Sequence, residues 1–307
     1  MSETVLPPES AGDAGADVSA DVTVDANPRV ATRLFILPAI IGSVVVLLLA
    51  VWFLFGALTR EARSADAYLQ DVKTAEGNRR WQAAYELSRL LDSGELKAQE
   101  GTAAQALAVF ESARSGQEDA RVRRYMALTL GRLKSAAAVP ALGDALKDPD
   151  AETRIYAALS LGRIGDRRAT KPLAAALSDE DPGVRKSAAY ALGALADPAA
   201  ADALREALHD EQVDVTWNAA VALARMNDPS GAEVLRSMAD REFVERASQS
   251  EDPATRTEVL VTAVQGILLI EDKGSIPALE KLAAGDPDMH VRQAAIEALK
   301  KLRPGAG

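Results

Sequence analysis

Among the residues that could bind a ligand or take part in a reaction, the most regular set is a row of arginines. These arginines occupy the same position in successive copies of a repeated pattern. The row comprises Arg80, Arg123, Arg154, Arg185, Arg256 and Arg292. The second, third and fourth members are 31 residues apart, and guanidinium groups at such a spacing could bind an anion or pair with carboxylates of the chain itself. Because the same residue type recurs in copy after copy, we favour a structural role, in which each arginine reaches acidic residues of an adjacent unit.

Residues suited to catalysis or metal binding are scarce. The chain has no cysteine, and its two histidines, His209 and His290, are too few for a histidine-rich metal centre or a typical Ser-His-Asp triad. It also lacks a glycine-rich phosphate loop, a G-x-S-x-G nucleophile motif and an H-E-x-x-H zinc motif. We therefore predict no enzymatic activity, no catalytic residue, no cofactor, no metal and no small-molecule substrate.

The composition argues against nucleic acid as a partner. Among 307 residues, 35 are Lys or Arg and 45 are Asp or Glu, which gives a net charge of −10. A protein that binds phosphate backbones over a broad surface normally carries a basic patch instead. We therefore expect protein partners and no nucleic acid.

The arginines belong to a repeated segment. Gapless alignment brings together three copies, residues 122–133, 153–164 and 184–195. These copies share a glycine, at Gly131, Gly162 and Gly193. A fourth copy keeps the spacing but has Thr216 in place of the arginine and Ala224 in place of the glycine. We expect the glycine to relieve crowding where neighbouring helices cross.

Each copy reads as a pair of short helices. Apolar residues recur three and four positions apart in both halves, which indicates two amphipathic helices. Asp-Pro dipeptides separate the copies, at Asp148-Pro149, Asp181-Pro182, Asp252-Pro253 and Asp286-Pro287. An aspartate can cap a helix whose first residue is the proline. The sequence thus predicts helix–turn–helix units stacked side by side.

The consensus D-P-x-V-R-x-x-A-A-x-A-L-G-x-[IL] of these copies resembles the HEAT repeat, in the short variety similar to phycobilisome-lyase-type repeats. The resemblance covers about Arg80 to Leu302. It implies an all-α fold, with an α-solenoid of about six or seven helical hairpins at residues 76–303. HEAT-like enzymes similar to deoxyhypusine hydroxylase hold iron on His-Glu pairs. Because His209 precedes Asp210 and His290 precedes Val291, the chain has no such pair.

A long uncharged segment precedes the repeats. No charge occurs between Arg33 and Arg60, and the 26 residues between them are rich in Leu, Val, Ile and Phe. At about 1.5 Å per residue, a helix of this length spans the hydrocarbon core of a bilayer. We predict a single transmembrane helix at residues 34–59. A cleaved signal peptide or a buried core helix fits less well, since the segment is too long for the first and nothing else could cover the second.

The flanking segments complete the predicted organisation. Residues 1–30 form an acidic tail that we expect to be disordered, residues 60–75 a connecting helix, and residues 304–307 a second disordered tail. Four basic residues follow the span within 20 positions and two precede it. This excess favours a single-pass protein of the bacterial inner membrane with the solenoid in the cytoplasm. A chain that exports its solenoid would look nearly the same.

Two stretches depart from the regular spacing, and four aromatic residues suggest surface contacts. The stretch from Asp92 to Thr102 reads as a polar linker, and that from Arg241 to Glu251 as an inserted loop. The four aromatic residues are Trp81, Trp217, Tyr125 and Tyr156, which we take as candidate partner contacts. Packing within the core is the alternative role for them.

Together these features predict a membrane-anchored, non-catalytic scaffold or adaptor that presents its repeats to a membrane-associated protein. Tethering would raise the effective concentration near such partners. Two alternatives stay open. The chain could be an accessory subunit of a membrane complex, or a phycobilisome-lyase-like protein of lyase or oxidoreductase type.

Overall fold

The computed structural model describes residues 40–52, 63–116, 119–247 and 252–303. Within these ranges the regular secondary structure is helical, and no strand occurs. The prediction of an all-α fold is thus confirmed. The chain divides into two compact units, residues 1–62 and 63–307.

In the first unit, the structure describes one helix, α1 (residues 40–52), whose side chains are all exposed. Among the described residues, no helix is long and apolar enough to cross a membrane. The predicted transmembrane helix at 34–59 is therefore not found among the described residues. Its positions 34–39 and 53–59 lie outside them, as do the predicted tails 1–30 and 304–307.

The second unit is a stack of helices. Its helices are α2 Ala65–Thr74, α3 Asn78–Ser93, α4 Thr102–Ser115, α5 Ala120–Arg132, α6 Val139–Ala145, α7 Ala151–Ile164, α8 Thr170–Ala176, α9 Pro182–Leu195, α10 Ala201–Ala207, α11 Val213–Arg225, α12 Ala232–Met238, α13 Arg241–Ala247, α14 Pro253–Leu269, α15 Ile276–Gly285 and α16 Met289–Leu302. From α5 to α12, long helices of 13 or 14 residues alternate with short helices of seven. The long helices pack directly against one another along the stack, and each short helix packs on the next long one.

The glycine of each repeat sits where two long helices cross. A β-carbon added to Gly131 would lie 2.8 Å from the Cα of Ser160, and one added to Gly162 would lie 2.8 Å from the Cα of Ala191. At Gly193 the corresponding distance to Ala222 is 3.1 Å. Such contacts are closer than packed carbon atoms allow. The structure confirms that glycine is needed here for close approach of the helices.

Aspartates cap the long helices at two of the four predicted Asp-Pro sites. The Asp181 carboxylate accepts from the backbone N–H of Gly183 at 2.8 Å, and Pro182 is the first residue of α9. Asp252 caps α14 in the same way, with Pro253 as the first helical residue. Both helices therefore begin where the sequence predicts, because the aspartate satisfies N–H groups of the first turn that have no partner within the helix.

At the other two sites the helix begins two residues later than predicted. The Asp150 carboxylate caps α7 by accepting from the backbone N–H of the third helical residue, at 2.8 Å. Asp288 caps α16. The predicted caps at Asp148 and Asp286 are wrong, because in the pattern Asp-Pro-Asp the second aspartate caps the helix. The first aspartate then takes another role.

The segments that break the repeat are part of the stack. Within the predicted connecting helix, α2 buries Leu69 and Val72 completely. The predicted linker lies between α3 and α4, where Gly94 and Gly101 adopt positive φ angles of 74° and 88°. The predicted loop after Met238 is instead helical at α13, and its Val244 is fully buried. The apolar residues of this otherwise charged segment pack into the core.

The core of the second unit consists of two clusters that meet at α11. One runs from Ala65 to Leu223 and the other from Trp217 to Leu302. Helix α11 gives one side, with Val215 and Leu223, to the first cluster. Its other side, with Trp217 and Ala220, belongs to the second.

Candidate functional site

The repeat arginines form an arginine–aspartate ladder inside the stack. The guanidinium group of Arg123 donates from Nε and Nη2 to both carboxylate oxygens of Asp148, at 2.8 and 2.9 Å. Arg185 does the same to Asp210, at 2.7 and 3.0 Å. Arg154 contacts Asp179 through Nη2 alone, at 2.8 Å. Each aspartate lies 25 residues after its arginine, at the end of the same copy.

A second set of hydrogen bonds joins each copy to the next. Arg154 donates from Nη1 to the backbone carbonyl of Asp148, at 3.0 Å. Arg185 donates likewise to the carbonyl of Asp179, at 2.9 Å. Each of these two aspartates thus accepts from two consecutive arginines, by its carboxylate and by its carbonyl. The bidentate pairs of Arg123 with Asp148 and of Arg185 with Asp210 fix geometry as well as supply energy.

The electrostatics of the ladder favour the charged forms. Burial opposes ionisation of Asp210, but hydrogen bonds from Arg185 and from the backbone N–H of Gln212 lower its pKa below the ordinary value. The same pairing raises the pKa of Arg185. The side chains of Arg123 and Asp148 are only 9% and 6% exposed. Because these guanidinium groups already bind aspartates of the chain, few of their N–H groups are available to an external anion.

The remaining repeat arginines are placed differently. Arg80 donates from Nε to the carbonyl of Val72 at 2.8 Å, and Arg292 from Nη1 to the carbonyl of Asp286 at 2.6 Å. Arg256 lies in the first turns of α14 and is half-buried. The carboxylate of Asp286 is bound at 2.7 and 2.8 Å by Arg241, which the sequence pattern did not single out. Arg241 lies 45 residues before Asp286, whereas the paired arginines of the ladder lie 25 residues before their aspartates, so the sequence spacing does not show that Arg241 has the same role.

Two of the aromatic candidates come together at the N-terminal end of the stack. The rings of Trp81 and Tyr125 are stacked with centroids 6.5 Å apart. Tyr85 meets Tyr125 edge-on at 5.2 Å, and the guanidinium group of Arg121 lies 4.6 Å from the centre of the Trp81 ring. Tyr85 is 41% exposed, so the cluster reaches the surface. Tyr85 itself was missed because the equivalent position is leucine in the next two copies.

The other two candidates are not part of this ring cluster. Tyr156 is half-buried one repeat further along, and burial raises its pKa, with smaller contributions from Glu152 and Tyr125. Trp217 is only 5% exposed and packs in the second core cluster. We refer to Trp81, Tyr85, Tyr125 and Tyr156 as the aromatic surface.

A wide groove of about 930 Å³ opens on the opposite set of helices, between α6 and α8. Exposed Lys147 and Lys171 line it together with exposed Asp144 and Glu180, so its mouth carries both signs of charge. The buried charges of its floor belong to the ladder. Within the described ranges, no group of three His, Cys, Asp or Glu residues could hold a metal ion.

Comparison with known proteins identifies the repeats. The family of HEAT repeats matches residues 106–179, 170–251 and 241–306. The chain is similar to the complex of CpcE and CpcF of phycocyanin lyase from Nostoc sp. PCC7120, at 19% identity and a TM-score of 0.52, over 80% of this chain and 97% of that one. It is also similar to YibA of Escherichia coli, at 17% identity and a TM-score of 0.50, over 77% and 92%. At these identities, the structural similarity shows a shared fold alone. No curated protein is significantly similar in sequence.

Proposed function

The chain belongs to the family of HEAT-repeat proteins, and we propose that it is a non-catalytic scaffold that binds a partner protein through the long helices of its solenoid. The aromatic surface carries this proposal. Tyrosine and tryptophan provide large, rigid contact area and are enriched among residues that dominate binding energy. In this surface they lie beside Arg121, a further residue type favoured at interfaces.

Repeat geometry explains how such a surface arises without catalytic chemistry. In an α-solenoid each repeat contacts only its neighbours, so the solvent side of the long helices stays available for a partner. Tyr125 is held by contact with Tyr85 and Trp81, and both Tyr125 and Trp81 also pack against the first core cluster. Their ring geometry is therefore set before a partner arrives, which lowers the entropic cost of binding.

The experiment is crosslinking in the native membrane, followed by affinity purification and quantitative mass spectrometry. We expect a Tyr85→Ala/Tyr125→Ala variant to lose most of the partner recovered with the unchanged chain. Tyr190→Ala is the matched control, because Tyr190 is also exposed and also follows its repeat arginine by five residues. Equal loss in both variants, or in neither, would contradict the proposal. A stoichiometric complex would identify an accessory subunit, and a coloured product would favour the lyase-like alternative.

We further propose that residues 34–59 anchor the chain in the inner membrane with the solenoid in the cytoplasm. The support is the uncharged 26-residue run and the exposed apolar side chains of α1, among them Leu47, Leu48 and Trp52. The chain has no cysteine, so a single cysteine can be introduced at Ser2 or at Ala306 and labelled with a membrane-impermeant maleimide. We expect resistance to carbonate extraction and labelling in intact spheroplasts at Ser2→Cys only. Release by carbonate would reject the anchor, and the reverse labelling would reject the orientation.

A further inference from the structure

A pocket opens where the regular repeat ends. It has a volume of about 320 Å³ and lies between α9, α11 and α14. Trp217 and Val221 of α11 form one wall, Tyr190 of α9 a second, and Thr262 of α14 a third. Its size is at the lower end of the range for small-molecule sites. We call it the Trp217 pocket.

The pocket exists because the repeat spacing changes at this step. Between α5, α7 and α9, the glycines Gly131 and Gly162 bring neighbouring long helices into direct contact. After α11 the equivalent position is Ala224, and α13 is inserted before the next long helix. The residues at the position of Trp217 in the two preceding repeats are Ile155 and Lys186. A tryptophan therefore occupies the wider gap and leaves the pocket beside it.

Several polar side chains that line the pocket have no hydrogen-bond partner among the described residues. They include the indole N–H of Trp217, whose side chain is only 5% exposed, and the hydroxyl of Thr262, whose side chain is half-buried. Neither atom is among the buried polar atoms that lack a partner, so both are accessible to solvent. By contrast, Asn218 donates to the carbonyl of Asp214 at 2.7 Å, and Thr255 donates to Asp252 at 2.9 Å.

A donor that bonds to water in the free protein can bond instead to the acceptor of a ligand that enters the pocket. The indole nitrogen is a donor only, so it selects a ligand that presents an acceptor. The apolar walls favour a ring-sized hydrocarbon body. Arg225 and Glu258 at the rim carry opposite charges, so that the rim itself selects neither sign.

We propose that the Trp217 pocket binds a small, ring-bearing molecule whose carbonyl-type oxygen accepts hydrogen bonds from Trp217 and Thr262. This binding is separate from the scaffold role, because the aromatic surface does not line the pocket.

The test uses three probes that share a benzyl group: phenylacetamide, phenylacetate and 2-phenylethylamine. The full-length chain with Trp52→Phe and Trp81→Phe, in detergent, leaves Trp217 as its single tryptophan reporter. We expect the amide and the carboxylate to change Trp217 emission in a saturable way, with a dissociation constant on the order of millimolar or lower. The amine, which offers no acceptor in its ammonium form, is expected to bind at least about tenfold more weakly.

Variants separate the pocket from detergent or surface binding. Val221→Tyr fills the pocket and is expected to abolish the response; the equivalent residue of the preceding repeat, on α9, is Tyr190. Leu159→Tyr introduces the same side chain at the equivalent position of a regular repeat, outside the pocket, and is expected to leave binding intact. Thr262→Val keeps the shape and removes one hydroxyl, and we expect it to weaken the amide several-fold.

Three results would overturn the proposal. One is equal binding of the amine and the amide, and another is an unchanged response in both Val221→Tyr and Thr262→Val. The third is the absence of any saturable response up to the solubility of the probes. Unfolding by Val221→Tyr would show as an early thermal transition, in which case Thr262→Val alone decides.

Discussion

Neighbouring long helices pack differently in the regular repeats from α5 to α11 and at the irregular step from α11 to α14. In the regular part, glycine permits helix contact, and arginines close the α5–α7 and α7–α9 joints with two kinds of hydrogen bond. At the irregular step, Thr216 bonds only to a carbonyl of its own helix, and Arg241 on an inserted helix supplies the pair to Asp286. The regular joints are closed, whereas the irregular one retains a pocket. Variation confined to one joint can thus add a site without changing the fold.

The largest expected effect on stability comes from a substitution in the regular repeats. Arg123→Ala leaves the Asp148 carboxylate buried without its main partner, and we expect a loss of about 3–5 kcal/mol in the free energy of unfolding. The control is Arg89→Ala, whose ion pair with Glu86 is 45% and 41% exposed, so its loss should change the stability little. Denaturant titration measures both. Similar losses in the two variants would mean that the ladder does not close the joints.

A smaller effect on stability is expected when a glycine at a close contact between helices is replaced, compared with a glycine in ordinary packing. Gly162→Ala places a β-carbon 2.8 Å from the Cα of Ala191, and we expect a loss of about 1–3 kcal/mol. In Gly143→Ala the nearest atom is 3.6 Å away, in Pro172, so the substitution should be neutral or stabilise the helix by up to about 1 kcal/mol. Thermal melts of the two proteins compare these outcomes directly. A gain in stability at both sites would argue against a special role for the repeat glycine.

The smallest expected effect concerns acid sensitivity beyond the irregular step. A bidentate hydrogen bond from Arg236, at 2.8 Å to each oxygen, lowers the pKa of Asp272 to about 2. An unfolded aspartate titrates near 3.9, so the stabilisation is complete above that pH and disappears as the pH falls through about 2. Because Arg236 is 43% exposed, we expect only about 1 kcal/mol.

The measurement for this pair is the pH dependence of unfolding in Asp272→Asn. The variant should be less stable than the unchanged chain at pH 7 and should converge with it below about pH 2. Asp144→Asn is the control, since Asp144 is 76% exposed and lies 3.9 Å from Arg114. A constant difference at every pH would assign the effect to lost capping of the turn rather than to charge.

The α-solenoid could be predicted from the sequence because the residues that indicate it are close together in the chain and recur in each repeat. Glycine, arginine and the apolar spacing recur at a fixed interval, and each repeat contacts only its neighbours. The two roles of the aspartates were not separable, since Asp148 and Asp150 differ by two positions and either could cap a helix.

The candidate site was less predictable because it depends on departures from the repeat. Arg241 has the same role as Arg123, but its aspartate lies 45 rather than 25 residues later. Trp81 and Trp217 share a repeat position, yet Trp81 is half-buried in a ring cluster that reaches the surface, whereas Trp217 lies in the core. Which of them reaches solvent depends on the distance between neighbouring helices, and a single sequence does not encode that distance in a readable pattern.

The division of the core at α11 has a mechanical consequence. Helix α11 belongs to both core clusters, and among the described residues no repeat arginine bridges it to the preceding unit through the carbonyl of Asp210. Because one core cluster ends and the other begins at this helix, we expect tension along the stack to separate the helices here before it disrupts the arginine–aspartate pairs of the regular repeats. Since α11 also forms a wall of the Trp217 pocket, such a load would be expected to change the width of the pocket.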